Sequence, residues 1–262
     1  MNDIREHAFT LAEVLITLGI IGVVAAIVMS ALITNIQYSK NVAGLEKAYS
    51  VMATVTNQVF DELGNPRTEG WGNETRWTSA NNAQYRKMVV DSYKDKLNVL
   101  ADCRNPNGGD LGFAYPESPC LLNVNKLYKD LKGADMFYQG GSYQYPVYSY
   151  PLLTRDGILY MFYFGFWDVV QAAHPTIASN VGLDPVSYYS QGGVYAWIIV
   201  DVNGKKLPNQ VGKDTFFLAL TSRGIVPLGA EPDKASNYDC YKGGKGIMCA
   251  GKVIETGKMD YL

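Results

Sequence analysis

Histidine is scarce in this chain of 262 residues, which contains only His7 and His174. The sequence has no H-E-x-x-H segment and no G-x-S-x-G segment, so the signatures of zinc peptidases and serine hydrolases are missing. His174 precedes a proline and is expected to be a loop or packing residue rather than a catalytic base. The sequence therefore predicts a protein that is not an enzyme, with a membrane-anchored periplasmic enzyme as a remote alternative.

The chain also lacks any long block of charge of one sign. It has 23 basic and 25 acidic residues, with a formal net charge of −2. Binding to nucleic acid or to an anionic membrane surface usually requires clustered lysine and arginine. The charge pattern therefore predicts no nucleic-acid partner.

Cysteine occurs four times, and no two cysteines form a C-x-x-C pair. Cys103 and Cys120 are close in sequence, as are Cys240 and Cys249, and both pairs lie in segments rich in Gly, Asn or Pro. This spacing fits disulfides in an oxidising compartment better than zinc or redox chemistry. We expect bridges Cys103–Cys120 and Cys240–Cys249, each stabilising by about 2 to 3 kcal/mol on a loop-entropy estimate. The alternative is that the cysteines are free and buried.

A long apolar run lies near the N-terminus. Residues 14–33 contain only Thr17 and Ser30 as polar side chains, and a helix of that length spans about 30 Å of hydrocarbon. The leader before the run is not basic enough for a secretory signal peptide. Glu13 stands at the edge of the run, where a carboxylate is costly once carried into lipid. A plain membrane anchor does not need such a residue, so we expect Glu13 to be functional.

The helix is expected to continue to about Leu63, where Gly64 and Pro66 end it. Beyond the apolar run, one helical face carries Tyr38, Val42, Leu45, Tyr49, Met52, Val55 and Val59. This amphipathic half is expected to pack against a globular head.

The rest of the chain predicts an α+β head. The segment NNAQYRKMVVDSYKDKLNVLADC favours a second helix, with its apolar stripe at Tyr85, Val89, Tyr93, Leu97 and Leu100. GILYMFYFGF, GVYAWIIVDV and TFFLALT are aromatic and β-branched runs typical of strands in an antiparallel sheet. FYQGGSYQYPVYSYP is expected to be a tyrosine-rich connector.

The segment AFTLAEVLITLGIIGVVAAI resembles the N-terminal cleavage and methylation segment of type IV pilins and type II secretion pseudopilins. The resemblance implies that a prepilin peptidase cuts between Ala8 and Phe9 and methylates the new amine of Phe9. It places Glu13 at the fifth position of the mature chain. The implied domains are a leader (1–8), a transmembrane half-helix (9–33), an amphipathic half-helix (34–63) and the head (64–262).

The same resemblance implies how the subunits assemble. The α-amino group of Phe9 in one subunit would pair with Glu13 of its neighbour, so that a charge costly in lipid is matched when helices stack. The implied partners are other pilin or pseudopilin subunits, the prepilin peptidase and an inner-membrane assembly platform. The protein would cross the bacterial inner membrane once, with its head outside the cytoplasm, before joining a periplasmic pseudopilus or a cell-surface filament. The alternative is an incidental glutamate at the end of a plain anchor.

A second resemblance lies in the head, where DVNGKKLPNQVGKDTFF is similar to a D-x-N-G, P-N, G-x-D-x-F pattern of many prepilin-type proteins. Several secretion pseudopilins bind calcium in this part of the head, and no other cofactor is implied. The candidate ligands here are Asp201, Asn203, Asn209 and Asp214, whose oxygens suit a hard cation. The alternative, which the sequence favours, is a hairpin with Asn203-Gly204 in a type I′ turn and Asp214 capping the next strand.

The role of the subunit stays open at this point. The leading interpretation is a structural filament subunit. The alternative is a minor tip pilin whose head, in a chain with 19 tyrosines, binds a surface, a glycan or DNA. Tyrosines in strand-like runs are, however, more often part of a core.

Overall fold

The computed structural model divides the chain into two compact units, Met1–Lys40 and Asn41–Leu262. The part of the chain that the structure describes comprises residues 10–65, 80–104, 120, 128–134, 149–164, 194–204, 206–221, 223–230 and 239–262. Within it the helices and strands are α1 (Leu11–Leu63), α2 (Ala80–Lys96), β1 (Val99–Asp102), β2 (Tyr150–Thr154), β3 (Leu159–Tyr163), β4 (Val194–Asp201), β5 (Thr215–Thr221), β6 (Gly224–Pro227) and α3 (Cys249–Thr256). The predicted α+β class is confirmed. The predicted domain boundaries at residues 33/34 and 63/64 stay predictions.

Helix α1 ends at Leu63, as the sequence predicts. Its large apolar side chains are exposed from Leu11, at 79%, to Ile36, at 46%. By length and composition the helix could cross a membrane. Burying one such side chain is worth about 1.5 to 3 kcal/mol, so this surface is suited to lipid or to other helices rather than to water.

From Asn41 onward, α1 buries one face in the head unit. The predicted apolar positions that are buried are Val42, Leu45, Met52, Val55 and Val59, whereas Tyr38 and Tyr49 are half-buried. Ala48 and Thr56 are also fully buried. The predicted packing of the amphipathic half on the head is therefore confirmed.

The six strands form one antiparallel sheet in chain order, as far as the structure describes it. Strands β3, β4 and β5 lie in the three runs that the sequence assigned to strands. Every residue of β3 and β5 is buried, which indicates that both faces of the sheet centre are covered. This explains why these runs are continuously apolar rather than alternating.

Strand β1 corrects one sequence prediction. The segment before Cys103 was expected to be helical throughout, but the helix ends at Lys96 and Val99–Asp102 pairs with β2. Leu100, expected on the buried stripe of that helix, is 56% exposed. Long-range pairing to another strand decided the conformation here, because helical periodicity alone does not register a distant partner.

Side chains from α1, α2 and the sheet meet in the core of the head. The hydroxyl groups of Thr56 and Tyr93 share a buried hydrogen bond of 2.6 Å. The ring of Tyr93 packs on Phe162 of β3, with ring centroids 4.8 Å apart. Lys96 forms an ion pair with Glu62, which also links α2 to α1. The second half of α1 is therefore an integral part of the head.

The C-terminal segment is fastened to the sheet. Helix α3 packs against β5 and β6. Cys240 is joined to Cys249, with Cα atoms 5.0 Å apart, and Cys103 is joined to Cys120, with Cα atoms 5.7 Å apart. These are the two pairs that the sequence predicts. The buried Asp239 accepts hydrogen bonds from the backbone N–H groups of Lys245 (2.8 Å) and Met248 (3.1 Å).

Candidate functional site

The predicted cleavage site, Ala8 and Phe9, lies outside the described residues, as do both histidines. Glu13, which follows Phe9 by four positions in the sequence, lies in the first turn of α1. The N–H and hydroxyl groups of Thr10 both donate to Oε2 of Glu13, at 2.9 and 2.8 Å. In return, the N–H of Glu13 donates to Oγ1 of Thr10 at 3.3 Å.

These three bonds form a capping box, which holds the glutamate at the helix start. The two bonds from Thr10 converge on Oε2 alone. Sequence reasoning missed this role, although the T-x-x-E spacing of residues 10–13 carries the signal.

The second candidate site is the connection between β4 and β5, residues 202–214. Asp201 ends β4, Asp214 directly precedes β5, and both side chains are fully buried. The Val202 N–H donates to the Asp214 carbonyl at 2.9 Å. Pairing of the two strands therefore brings the two carboxyl groups to the same end of the sheet.

This connection corrects the hairpin alternative. A type I′ turn needs positive φ at both central residues. Gly204 has φ 62°, but among the described residues that are not glycine only Asn209, with φ 50°, is positive. Asn203 is thus not in a type I′ turn, and β4 and β5 are joined by a long loop instead of two residues.

Asp214 organises the loop through hydrogen bonds. Its Oδ2 accepts from Nδ2 of Asn203 at 3.0 Å and from the backbone N–H of Asn209 at 3.0 Å. Its Oδ1 accepts from the N–H of Gln210 at 2.5 Å. Three of the four predicted cation ligands are therefore joined directly.

The fourth predicted ligand, Asp201, is linked to the same group. Its Oδ1 accepts from the backbone N–H of Asn203 at 3.2 Å, and its Oδ2 accepts from the Tyr128 hydroxyl at 3.0 Å. Tyr128 is buried, and sequence reasoning missed it. It lies far from Asp201 in the chain, and no local pattern in the sequence connects the two.

Two amide oxygens in this cluster have no hydrogen-bond donor among the described residues. They are Oδ1 of Asn203 and Oδ1 of Asn209, and both atoms are buried. A buried acceptor without a donor costs about 1 to 3 kcal/mol. Asn203 and Asn209 each donate a hydrogen bond to Asp214, and two buried acceptors without donors in these residues require a physical explanation.

The electrostatics of the cluster are unfavourable for two carboxylates. Burial raises the pKa of Asp201 well above its usual range, and the neighbouring Asp214 carboxylate raises it further. Burial likewise raises the pKa of Asp214, against hydrogen bonds from the Gln210 N–H and the Asn203 amide. A cation between the two groups would favour their charged forms.

The donor set fits calcium in kind. Calcium takes oxygen ligands, typically carboxylates, amide or backbone carbonyls and water. The cluster offers two carboxyl groups and two unbonded amide oxygens. In the described part of the chain no three His, Cys, Asp or Glu side chains come together as a metal site, so such an ion would depend on the asparagines.

The described tyrosines mostly serve packing. Those that are buried are Tyr93, Tyr128, Tyr150, Tyr160, Tyr163 and Tyr261. The predicted tyrosine-rich connector, residues 137–151, lies outside the described residues up to residue 148, but its end is corrected: Tyr150 and Pro151 belong to strand β2, where they pair with β3.

Comparison with known protein families gives a match in the N-terminal segment. Residues 4–29 match the prokaryotic N-terminal methylation motif, which is the signature of type IV pilins and pseudopilins. The match covers the N-terminal segment, where the chain is similar to these proteins; the exposed apolar helix α1 overlaps the motif and is followed by an α+β head. Neither the curated proteins nor the solved structures contain a match to the chain.

Proposed function

We propose that the protein is a structural subunit of a type IV pilus-like filament or a type II secretion pseudopilus. The observation that carries the proposal is the methylation motif at the start of α1, whose following apolar surface is exposed over its first turns. Prepilin peptidase cuts between Ala8 and Phe9, and the mature subunit waits in the inner membrane with its head outside the cytoplasm. Two disulfides in the head support an oxidising compartment.

Assembly proceeds through the N-terminal helices, on an inner-membrane platform and with other pilin-like subunits as partners. The new amine of Phe9 in the incoming subunit pairs with Glu13 of the subunit already in place. The capping box supports this role, because Thr10 holds the carboxylate at the helix start through Oε2. In this role the subunit needs no catalytic residue.

The test compares two near-isosteric substitutions that each remove one negative charge from the same helix, Glu13→Gln and Glu46→Gln. Both remove one carboxylate from an exposed position of α1. We expect Glu13→Gln to be processed and membrane-inserted but absent from sedimented filaments, and Glu46→Gln to assemble normally. Normal assembly of Glu13→Gln would remove the proposed pairing.

The fraction of the subunit in purified filaments tests the minor tip alternative. A bulk component is the body of the filament, whereas a trace component located at the end is an initiator or a ligand-binding subunit.

We also propose that residues 201–214 hold a calcium ion, with Asp201, Asp214 and the amide oxygens of Asn203 and Asn209 as protein ligands. The two unbonded amide oxygens support this, because an ion would satisfy both of them. The ion would supply positive charge between two buried carboxyl groups and so stabilise the loop.

The variant Asn209→Gly tests the ion site, because glycine accepts the positive φ of this position while the amide oxygen is removed. In full-length protein in detergent, we expect calorimetric titration to show calcium binding to the wild type. We expect at least tenfold weaker binding to Asn209→Gly, without a lower melting temperature in EGTA. Magnesium serves as the control cation. Absence of binding heat and of any thermal shift with millimolar calcium would refute the site.

A further inference from the structure

The loop that forms the candidate cation site also holds helix α1. Nδ2 of Asn41 donates a hydrogen bond of 2.9 Å to the backbone carbonyl of Lys213. That carbonyl belongs to the peptide group that joins Lys213 to Asp214. Asn41 is only 4% exposed, so water does not compete well for this bond. Asn41 therefore fixes the backbone next to one of the two buried carboxyl groups.

A second contact lies one helical turn further on. A Cβ atom added to Gly44 would lie 3.0 Å from Cβ of Val202. The N–H of Val202 is in turn bonded to the carbonyl of Asp214. Helix and loop are thus in close contact on both sides of the cluster, next to Asp201 at one end and Asp214 at the other.

The contact between Asn41 and the loop lies where the buried part of α1 begins. Among the α1 residues whose burial the structure describes, Asn41 and Val42 are the first buried ones, whereas Ile36 is 46% exposed. Asn41 is also the first residue of the head unit. The first buried turn of α1 therefore rests on the candidate cation loop.

We propose that calcium binding in residues 201–214 and the docking of the first buried turn of α1 are thermodynamically coupled, with Asn41 as the positioning residue. This inference rests on the calcium site proposed above. An ion that orders the loop fixes the Lys213 carbonyl for Asn41, and by linkage a docked Asn41 raises the affinity for the ion by the same factor. Calcium outside the cytoplasm then determines how firmly the head holds the helix that enters the filament.

Two near-isosteric substitutions separate coupling from general loss of stability. Asn41→Leu removes the hydrogen bond to the loop. Thr56→Val removes the buried bond to Tyr93, which also connects α1 to the head but does not touch the loop. Both variants should lose thermal stability in EGTA because each removes one buried hydrogen bond.

We expect Asn41→Leu to weaken calcium binding and Thr56→Val to leave it unchanged. In full-length protein in detergent, we expect calorimetric titration to give a calcium Kd about 5- to 30-fold higher for Asn41→Leu than for the wild type. The Kd of Thr56→Val should stay within twofold of the wild type. Equal affinity of Asn41→Leu and wild type, or an equal loss in both variants, would overturn the coupling.

Hydrogen–deuterium exchange measures the reciprocal effect, which is the influence of calcium on the docking of α1. It uses the wild type, so the result does not depend on the folding of a variant. In the wild type, calcium should slow exchange in peptides covering residues 38–48 and leave residues 50–60 unchanged. A wild type that binds calcium without this local change refutes the coupling alone. A wild type that binds no calcium refutes the ion site, and the coupling falls with it.

Discussion

The hydroxyl of Tyr261 donates a buried hydrogen bond of 2.5 Å to the backbone carbonyl of Gly212. The next-to-last residue of the chain is thereby attached to the loop between β4 and β5. A Cβ atom on Gly212 would lie only 3.2 Å from Sγ of Cys249, so the Cys240–Cys249 disulfide lies against the same loop. The C-terminal segment, the second disulfide and the candidate cation site are therefore one packed region.

Replacing Tyr261 by phenylalanine should lower the free energy of unfolding by about 1 to 2 kcal/mol, because the buried Gly212 carbonyl loses its donor. Urea unfolding of the full chain in detergent, followed by tryptophan fluorescence, measures the change. Tyr241→Phe is the matched control, since Tyr241 is 50% exposed. Equal unfolding midpoints for the two variants would contradict the prediction.

Replacing both Cys240 and Cys249 by alanine should cost about 2 to 3 kcal/mol on the loop-entropy estimate. It should also open the C-terminal segment to proteases, because the disulfide ties the loop after Asp239 to α3. Limited proteolysis with mass spectrometry identifies the cleavage sites. Peptide mapping of the wild type that finds free thiols or a Cys103–Cys240 link would show that the pairing is different.

Asp102, the last residue of β1, forms ion pairs with Lys94 and Arg104, and these predict that the protein loses stability in acid. Burial alone would raise the pKa of Asp102, but hydrogen bonds from Arg104 and Lys94 outweigh it and lower the pKa to about 2. Because the folded pKa lies below the unfolded value, this contribution is present above about pH 4 and is lost as the pH falls towards 2. Its size is about 1 kcal/mol after allowance for solvent screening.

Unfolding midpoints of the wild type and Asp102→Asn should therefore differ at pH 6 and converge at pH 2. Asp95→Asn removes the same charge from an exposed position of α2 and serves as the control. A constant difference between wild type and Asp102→Asn across this range would exclude the predicted linkage.

Gly251→Ala tests which of two opposing effects is larger. Alanine in a helix interior ordinarily stabilises by about 0.5 to 1 kcal/mol over glycine. At Gly251, however, the added Cβ would lie 2.1 Å from the backbone nitrogen of Ala230. Backbone atoms cannot move aside cheaply, so we expect a net loss of about 2 kcal/mol or more. A melting temperature equal to or above that of the wild type would show that α3 does not approach the backbone of Ala230 so closely.

The mature chain is expected to begin at Phe9 with a methylated amine, because residues 4–29 carry the methylation motif. Intact mass of membrane-extracted protein from cells with an active prepilin peptidase tests this directly. A mass that corresponds to residues 1–262 would contradict it. The variant Phe9→Ser serves as the comparison in this mass measurement. It keeps the same leader and replaces only the large side chain that follows the predicted cut.

The sequence by itself determined the features whose signals are local. The apolar run, the methylation motif and the buried face of α1 follow from residues close together in the chain, because a helix repeats every 3.6 residues. The three central strands and the two disulfide pairs were predicted for the same reason. The T-x-x-E capping box of residues 10–13 is equally local, although it was missed.

Only the tertiary structure decided the features that depend on distant partners. Val99–Asp102 became a strand because β2 pairs with it, against the helical periodicity of its own segment. Tyr128 is hydrogen-bonded to Asp201 and Asn41 to Lys213, across 73 and 172 residues of the chain. The Oδ1 atoms of Asn203 and Asn209 are buried without a hydrogen-bond donor among the described residues. This is a property of the packed chain, so no sequence pattern could reveal it.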